Sequence, residues 1–340
     1  MHSPSRMKPS MVRVSLGTAI AMGLTGGRLD AKPTTAYLLT YHPDKCTANC
    51  AFCPQARGST GRADMLSRVT WPAFPIKDVI PRLWSAIREG TFRRVCIQAL
   101  NYPGVFRDIL FLASETLSGV DALISVSCQP LTPQQMRTLR EAGVDRVSVA
   151  LDAATPQLFE RVKGRAAGGP YTWEGHWRAL RRAVAIFGRG RVTTHIIVGL
   201  GEKCSDVLKV VQDCVDVGVY PSLFAFTPIP GTRMQGRPQP PIGHYRLIQL
   251  AHYLITTGRA RYERMKFNGD DVPTYVGLPW DEVRDVIRSG RPFMTSGCPG
   301  CNRPYYNERP GGPIYNYPRP LTSGEIGEIE RLLRSLLGGG

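Results

Sequence analysis

The chain has 340 residues, 42% of them hydrophobic, which suffices for a sizeable core and excludes a small module stapled by disulfides. Its nine cysteines are an odd number and three crowd into eight residues, a pattern that favours metal binding in a reducing compartment, the cytoplasm by default, over disulfide pairing. The formal charge of +16, mostly arginine, favours an acidic partner; no basic run with interleaved aromatics points to nucleic acid, and the apolar stretch in MVRVSLGTAIAMGLTGG is too short to cross a membrane.

Residues 1–34 read as a packed N-terminal segment. Beyond them, the runs AYLLTY, RVCIQAL, ALISVSC, RVSVALD, VTTHIIVGL and SLFAFTP are strand candidates. Stretches such as TPQQMRTLREAG and SDVLKVVQDCVDVG lie between them with helical spacing, and Thr132 and Ser205 are their expected N-caps. Six such alternations predict an α/β fold with a parallel sheet over residues 35–230. A cysteine loop, and no Gly-rich dinucleotide fingerprint, follows the first strand, so a partial or full (β/α) barrel is expected, with its chemistry on loops at the C-terminal ends of the strands. Residues 231–340 are expected to form a C-terminal extension of three helices, around YRLIQLAHYLITTG, WDEVRDVIRS and SGEIGEIERLLRSLL, with a loop too rich in Pro, Gly and Tyr for regular structure that covers the barrel mouth.

The loop DKCTANCAFCPQAR carries Cys46, Cys50 and Cys53. Two thiols would serve a disulfide and four a structural zinc; three can hold a 4Fe-4S cluster by three of its irons and leave the fourth open. This CxxxCxxC spacing after the first strand, with Phe52 before the last cysteine, resembles the signature of radical S-adenosylmethionine (SAM) enzymes. The resemblance implies that the methionyl group of the cofactor chelates the open iron and that one-electron cleavage yields a 5'-deoxyadenosyl radical, with no catalytic residue required beyond the clusters. It further implies that Gly199, Leu200, Gly201 and Glu202, in HIIVGLGE, lie along adenine, and that Asp152, at the end of RVSVALD, meets a ribose hydroxyl. Lys163 and Arg165 stand near the expected methionyl carboxylate without matching a motif.

CPQAR and the order of the strand-end motifs resemble biotin synthase over roughly residues 35 to 230. That resemblance implies a second iron-sulfur cluster deep in the barrel, with Cys96 and Cys128 where two of its ligands would stand and Thr193 at a third. Cys298 and Cys301, a CxxC stiffened by Pro299, could supply the missing thiols and complete a second, auxiliary 4Fe-4S site. The plainer readings are that Cys96 or Cys128 is a core residue and that Cys298 and Cys301 are half of a zinc site. Cys204 and Cys214 read as packing residues.

The C-terminal loop, with IQALNYPG and LTYHPDKCTANCAFCPQARG, resembles the two-protein type of lipoyl synthase. The resemblance implies sulfur insertion into an octanoyl group on a lipoyl carrier domain, a sacrificial auxiliary cluster, a paralogous subunit and a reductant such as ferredoxin. Carrier domains of this kind are acidic, which gives the +16 charge a partner. The competing expectations are sulfur insertion into dethiobiotin, and a radical mutase, ring-forming or methylating enzyme.

Overall fold

The computed structural model describes residues 8–309 and 311–337. Its frame is one sheet of eight strands: β1 (Met11–Val14), β2 (Thr35–Thr40), β3 (Ala73–Pro75), β4 (Arg94–Gln98), β5 (Leu123–Cys128), β6 (Val144–Val149), β7 (Val192–Val198) and β8 (Val219–Ala225). The six strand candidates fold as the parallel series β2-β4-β5-β6-β7-β8, side by side in chain order, and β1 and β3 add antiparallel strands beyond β2. The sheet keeps two edges, β8 and β3, so the expected α/β barrel is a partial one. β2 is buried along its whole length, the pattern of a parallel strand covered on both faces.

Seven helices belong to this frame: α1 (Leu16–Ala21), α2 (Ile76–Arg88), α3 (Val105–Leu117), α4 (Pro133–Glu141), α5 (Pro156–Val162), α6 (Trp173–Phe187) and α7 (Cys204–Val217). Thr132 caps α4 as expected, in a capping box with Gln135. Ser205 does not cap α7, which begins one residue earlier. Lys203 precedes that helix, its N–H donating to the Asp206 carboxylate at 3.1 Å, while the Ser205 N–H donates to Asp271 at 2.8 Å. Further on, α8 (Ile242–Thr256), α9 (Trp280–Arg288) and α10 (Ser323–Leu336) pack against the same continuous apolar core. Among the described residues, no helix is long and apolar enough to cross a membrane.

The C-terminal loop reaches further than expected. It meets the mouth, where the Tyr306 carbonyl accepts from Ser67 Oγ at 3.0 Å and the Asn307 carbonyl from Thr227 Oγ1 at 3.1 Å, and it also anchors to the opposite, N-terminal end of the first parallel strand: the Thr34 N–H donates to Asn302 Oδ1 at 3.0 Å and Asn302 Nδ2 donates to the Lys32 carbonyl at 2.9 Å. From there it bridges the open side of the barrel. Ser296 Oγ accepts from the Leu223 N–H of β8 at 2.8 Å, and the Tyr37 hydroxyl of β2 accepts from the Arg303 N–H at 3.0 Å. An open parallel sheet leaves its inner face and its edges to be covered, and this segment covers the inner face between the first and last parallel strands and caps the β8 edge through Ser296.

Candidate active site

The cysteine loop leaves the C-terminal end of β2 and is fixed by backbone hydrogen bonds within itself and to the end of α5. The Cys46 N–H donates to the Gln55 carbonyl at 3.0 Å, the Ala51 N–H to Val162 at 2.7 Å, and the Cys53 N–H to Cys50 at 3.1 Å. Cys46 Sγ accepts from the Asn101 N–H at 3.1 Å. Burial pushes the Cys50 thiol up to about 12, against the pull of the Lys163 ammonium, and burial raises Cys53 as well, with Cys50 and Cys46 adding to it. Cys50 and Cys53, thiols that resist ionisation in isolation, suit a cationic iron site, which compensates the charge that burial penalises. Among the described residues no three His, Cys, Asp or Glu side chains crowd closely enough to ligate a single metal ion; a cluster, whose irons and sulfides separate its ligands, makes no such demand.

The other cofactor candidates surround this loop. Phe52 and Asp152 line one cavity with Cys53. Asp152 sits in the left-handed region (φ 65°) and its carboxylate receives the Lys163 ammonium at 2.6 Å, both groups buried. Leu200 packs with Ala51 and Phe52 in a small apolar cluster. Glu202 folds back so that its carboxylate accepts the Gly201 N–H at 3.0 Å and the Gly199 N–H too, shaping the turn after β7. Gly199 has φ 108°, and a Cβ there would stand 2.9 Å from Pro240 Cδ and 3.1 Å from Phe226 Cβ, so only glycine fits. Arg165 is exposed on the outside of this region and does not line the cavity.

The same cavity runs down the inner face of the sheet to a second group of thiols. Register sets Tyr37, Cys96 and Ser125 abreast on β2, β4 and β5, and the C-terminal loop brings Cys298 and Cys301 against them. Tyr37 Oη lies 3.2 Å from Cys301 Sγ and Ser125 Oγ 3.4 Å from Cys298 Sγ. Burial raises the Cys96 thiol, Cys298 and Cys301 raise it further, and the Arg303 guanidinium opposes the rise; Cys301 is likewise raised by burial and opposed by Arg303. Arg303 stacks on Phe224, its guanidinium carbon 3.8 Å from the ring centroid, and its buried Nε has no hydrogen-bond partner. Positive charge placed against buried thiols fits an anionic thiolate-held cluster.

Cys128 does not join this group. It ends β5, three residues beyond Ser125, so it lies higher on the strand and, at an odd offset, on the other side of it. It is absent from the cavity wall, belongs to the apolar core, and its thiol is pushed up to about 12 by burial alone. The lower site therefore holds three thiols, with Ser125 where Cys128 was expected. Thr193 faces the same cavity. Tyr37, Ser125 and Arg303 were missed in the sequence; the period of two along β5 would have nominated Ser125, and Arg303 lies only two residues past the CxxC. Cys214 is buried in the core and Cys204 packs beside it.

Residues 40–214 match the family model described as the radical SAM superfamily. The biotin synthase of Delftia acidovorans is 27% identical over 236 residues, covering 66% of this chain and 62% of that protein, so the chain spans less than two thirds of that relative's length. The bacteriochlorophyllide c C-7(1)-hydroxylase of Chlorobaculum limnaeum is 30% identical over 108 residues, 32% of this chain and 26% of that protein. Among solved structures, methylornithine synthase superposes with a TM-score of 0.51 at 13% identity over 71% of this chain and 66% of that one, a likeness of fold.

Proposed function

Because the chain belongs to the radical SAM superfamily, which brings a 4Fe-4S cluster and S-adenosylmethionine, we propose that it inserts sulfur into an octanoyl group presented by an acidic lipoyl carrier domain, alongside a paralogous subunit. The observation that carries this reading is the second set of thiols, Cys96, Cys298 and Cys301, lining the cavity that Phe52 and Cys53 enter from the other end. Cys46, Cys50 and Cys53 would hold the cluster above and Cys96, Cys298 and Cys301 one below; the first would supply one-electron chemistry on S-adenosylmethionine and the second would supply sulfur.

The chain's own residues supply confinement. Val126, Val147, Ile197, Phe224 and Phe226 give the cavity apolar walls that suit an alkyl chain and exclude water from a reactive carbon. Asp152 offers its carboxylate to a ribose hydroxyl from the cavity wall, and the turn at Gly199 and Gly201, which borders the neighbouring hollow with Ala51 and Leu200, allows close approach of backbone to adenine. Arg303 holds positive charge beside the lower thiols. The +16 net charge favours an acidic carrier.

A second reading, sulfur insertion into dethiobiotin, is favoured by curated relatives named biotin synthase at 25% to 27% identity. Against it, Thr193 stands at one cluster position that the resemblance to biotin synthase assigns to a thiol, and Cys128 is turned away from another. Mass spectrometry after turnover separates the two: octanoylated carrier domain, incubated with and without a paralogous subunit, gains the mass of sulfur and dethiobiotin does not. Sulfur gained by dethiobiotin alone establishes the second reading, and gain by neither overturns sulfur insertion on these substrates.

A further inference from the structure

A further hollow adjoins the cavity along three chain segments. The first is a short hairpin, Met65–Leu66 paired with Val69–Thr70, whose turn holds Ser67 and Arg68. Leu66 and Ser67 line the cavity, whereas Met65 and Arg68 line the hollow. The second segment gives Thr227 to the cavity and the apolar run Pro228, Ile229 and Pro230 to the hollow, and the third gives Asn307 to the cavity and Arg309 to the hollow. Two bonds fasten the first and second segments to the third: Ser67 Oγ donates to the Tyr306 carbonyl at 3.0 Å and Thr227 Oγ1 to the Asn307 carbonyl at 3.1 Å. Ser67 has φ 51°, a conformation that residues other than glycine seldom take, and its bond to Tyr306 secures the turn that carries Arg68.

The hollow gathers two positive charges and no acid that answers them. Arg68 is half-buried and Arg309 exposed, and among the described residues neither guanidinium has an ion-pair or hydrogen-bond partner. Glu308, beside Arg309 in sequence, is buried and spends its carboxylate on the Asn307 N–H at 3.0 Å and the Asn316 N–H at 2.9 Å. Burial lowers the pKa of Arg68, and the charge of Arg309 lowers it further against a smaller pull from Glu308. The fold thus keeps two like charges together beside the cavity, a cost that a bound anion relieves. Guanidinium groups match a carboxylate in shape as well as charge, through paired N–H donors.

We propose that Arg68 and Arg309 form a carboxylate site at the rim of the cavity, which holds an acidic group that arrives with the substrate and so orients the chain that enters. The neighbours of these arginines line the cavity itself, so a group bound here is placed by the same segments that shape the wall. Two sources share this chemistry: an acidic side chain of the carrier domain that presents an octanoyl group, and the free carboxylate of a small acid such as dethiobiotin. The inference rests on the cavity being the substrate's and holds under either substrate reading.

Calorimetry on the iron-loaded chain tests the site with three probes: octanoylated carrier domain, dethiobiotin, and the methyl ester of dethiobiotin, which keeps the molecule and removes its charge. Arg68→Gln/Arg309→Gln is expected to weaken binding of at least one acidic probe about tenfold or more, and to leave the ester and the iron content as in the parent. Arg309→Gln alone, a change at an exposed position, gives a smaller loss on the same probe and carries the test if the double variant does not fold. A loss confined to the carrier domain assigns the carboxylate to the carrier's side chains, and a loss confined to dethiobiotin assigns it to the free acid; both support the site. Acidic probes bound by the variants as by the parent overturn it, as does an ester weakened as much as its acid, or a parent that binds neither acid. Which probe gains sulfur on turnover is read separately by mass, so failure of the substrate reading and failure of this site are different results.

Discussion

The two thiol groups at the ends of the cavity are built in opposite ways. The upper one is local: Cys46, Cys50 and Cys53 fall within eight residues, and the loop that carries them is closed by its own backbone hydrogen bonds. The lower one is assembled across the chain, from Cys96 on a strand and Cys298 and Cys301 on a loop about two hundred residues later that docks between the first and last parallel strands. A local motif survives in any fold that exposes its loop; a distributed one exists only when sheet register and loop docking are both right. Generating a radical should therefore be robust to damage below, and using it should not.

The largest expected effects separate the ends. Cys50→Ala abolishes reductive cleavage of S-adenosylmethionine, read as 5'-deoxyadenosine by chromatography under strong reductant. Cys96→Ala leaves that cleavage measurable and abolishes sulfur transfer to the substrate. Equal loss of 5'-deoxyadenosine in both variants would erase the distinction between the two ends.

Gly199→Ala probes the upper end alone. The Cβ it adds meets Pro240 and Phe226 on a backbone with φ 108°, a strain of about 1–3 kcal/mol. Calorimetry should then show S-adenosylmethionine binding weakened about tenfold or more, with iron content unchanged.

Acid should loosen the fold through the histidines whose pKa burial lowers, His176, His195 and His252, and His252 tests this most simply because it lies outside the cavity. His252 on α8 is buried behind β8, its Nε2 2.6 Å from the Pro221 carbonyl, and burial pushes its pKa down to about 4 from the usual 6.5. The folded state refuses a proton that the unfolded chain accepts, so the neutral ring's stability is full above the unfolded pKa and is lost as pH falls from about 6.5 toward 4. Near pH 5 the loss is about 2 kcal/mol. Melting curves should show the parent losing more stability between neutral pH and pH 5 than His252→Gln, whose amide keeps a donor for Pro221; identical losses would discount this histidine.

The smallest effect concerns Cys128. Cys128→Ala should cost about 1 kcal/mol of stability through a small void in the core and leave both iron sites loaded. Iron lost in this variant would return Cys128 to the lower site.

How much of this was legible in the sequence follows the same division. The six parallel strands, the Thr132 cap and the cysteine loop are local signals of period, capping and spacing, and each stands where it was expected. Cys128 was misplaced because a candidate strand gives its residues without its register, and a shift of three residues along β5 exchanges Ser125 for Cys128 and one face for the other. The reach of the C-terminal loop beyond the mouth was not legible, because its composition marks it as irregular and says nothing of where it anchors; Thr34 and Leu223, which hold its far part, carry no pattern of their own. Tyr37 and Arg303 escaped notice for the same reason: their roles come from contacts between positions more than 260 residues apart.

The central claim is that one cavity joins two separately held iron-sulfur clusters. Iron and sulfide per chain, measured after anaerobic reconstitution of the parent and of Cys298→Ala/Cys301→Ala, tests it most directly. The account predicts a fall from about eight irons to about four in the variant. Iron unchanged between the two proteins would contradict it.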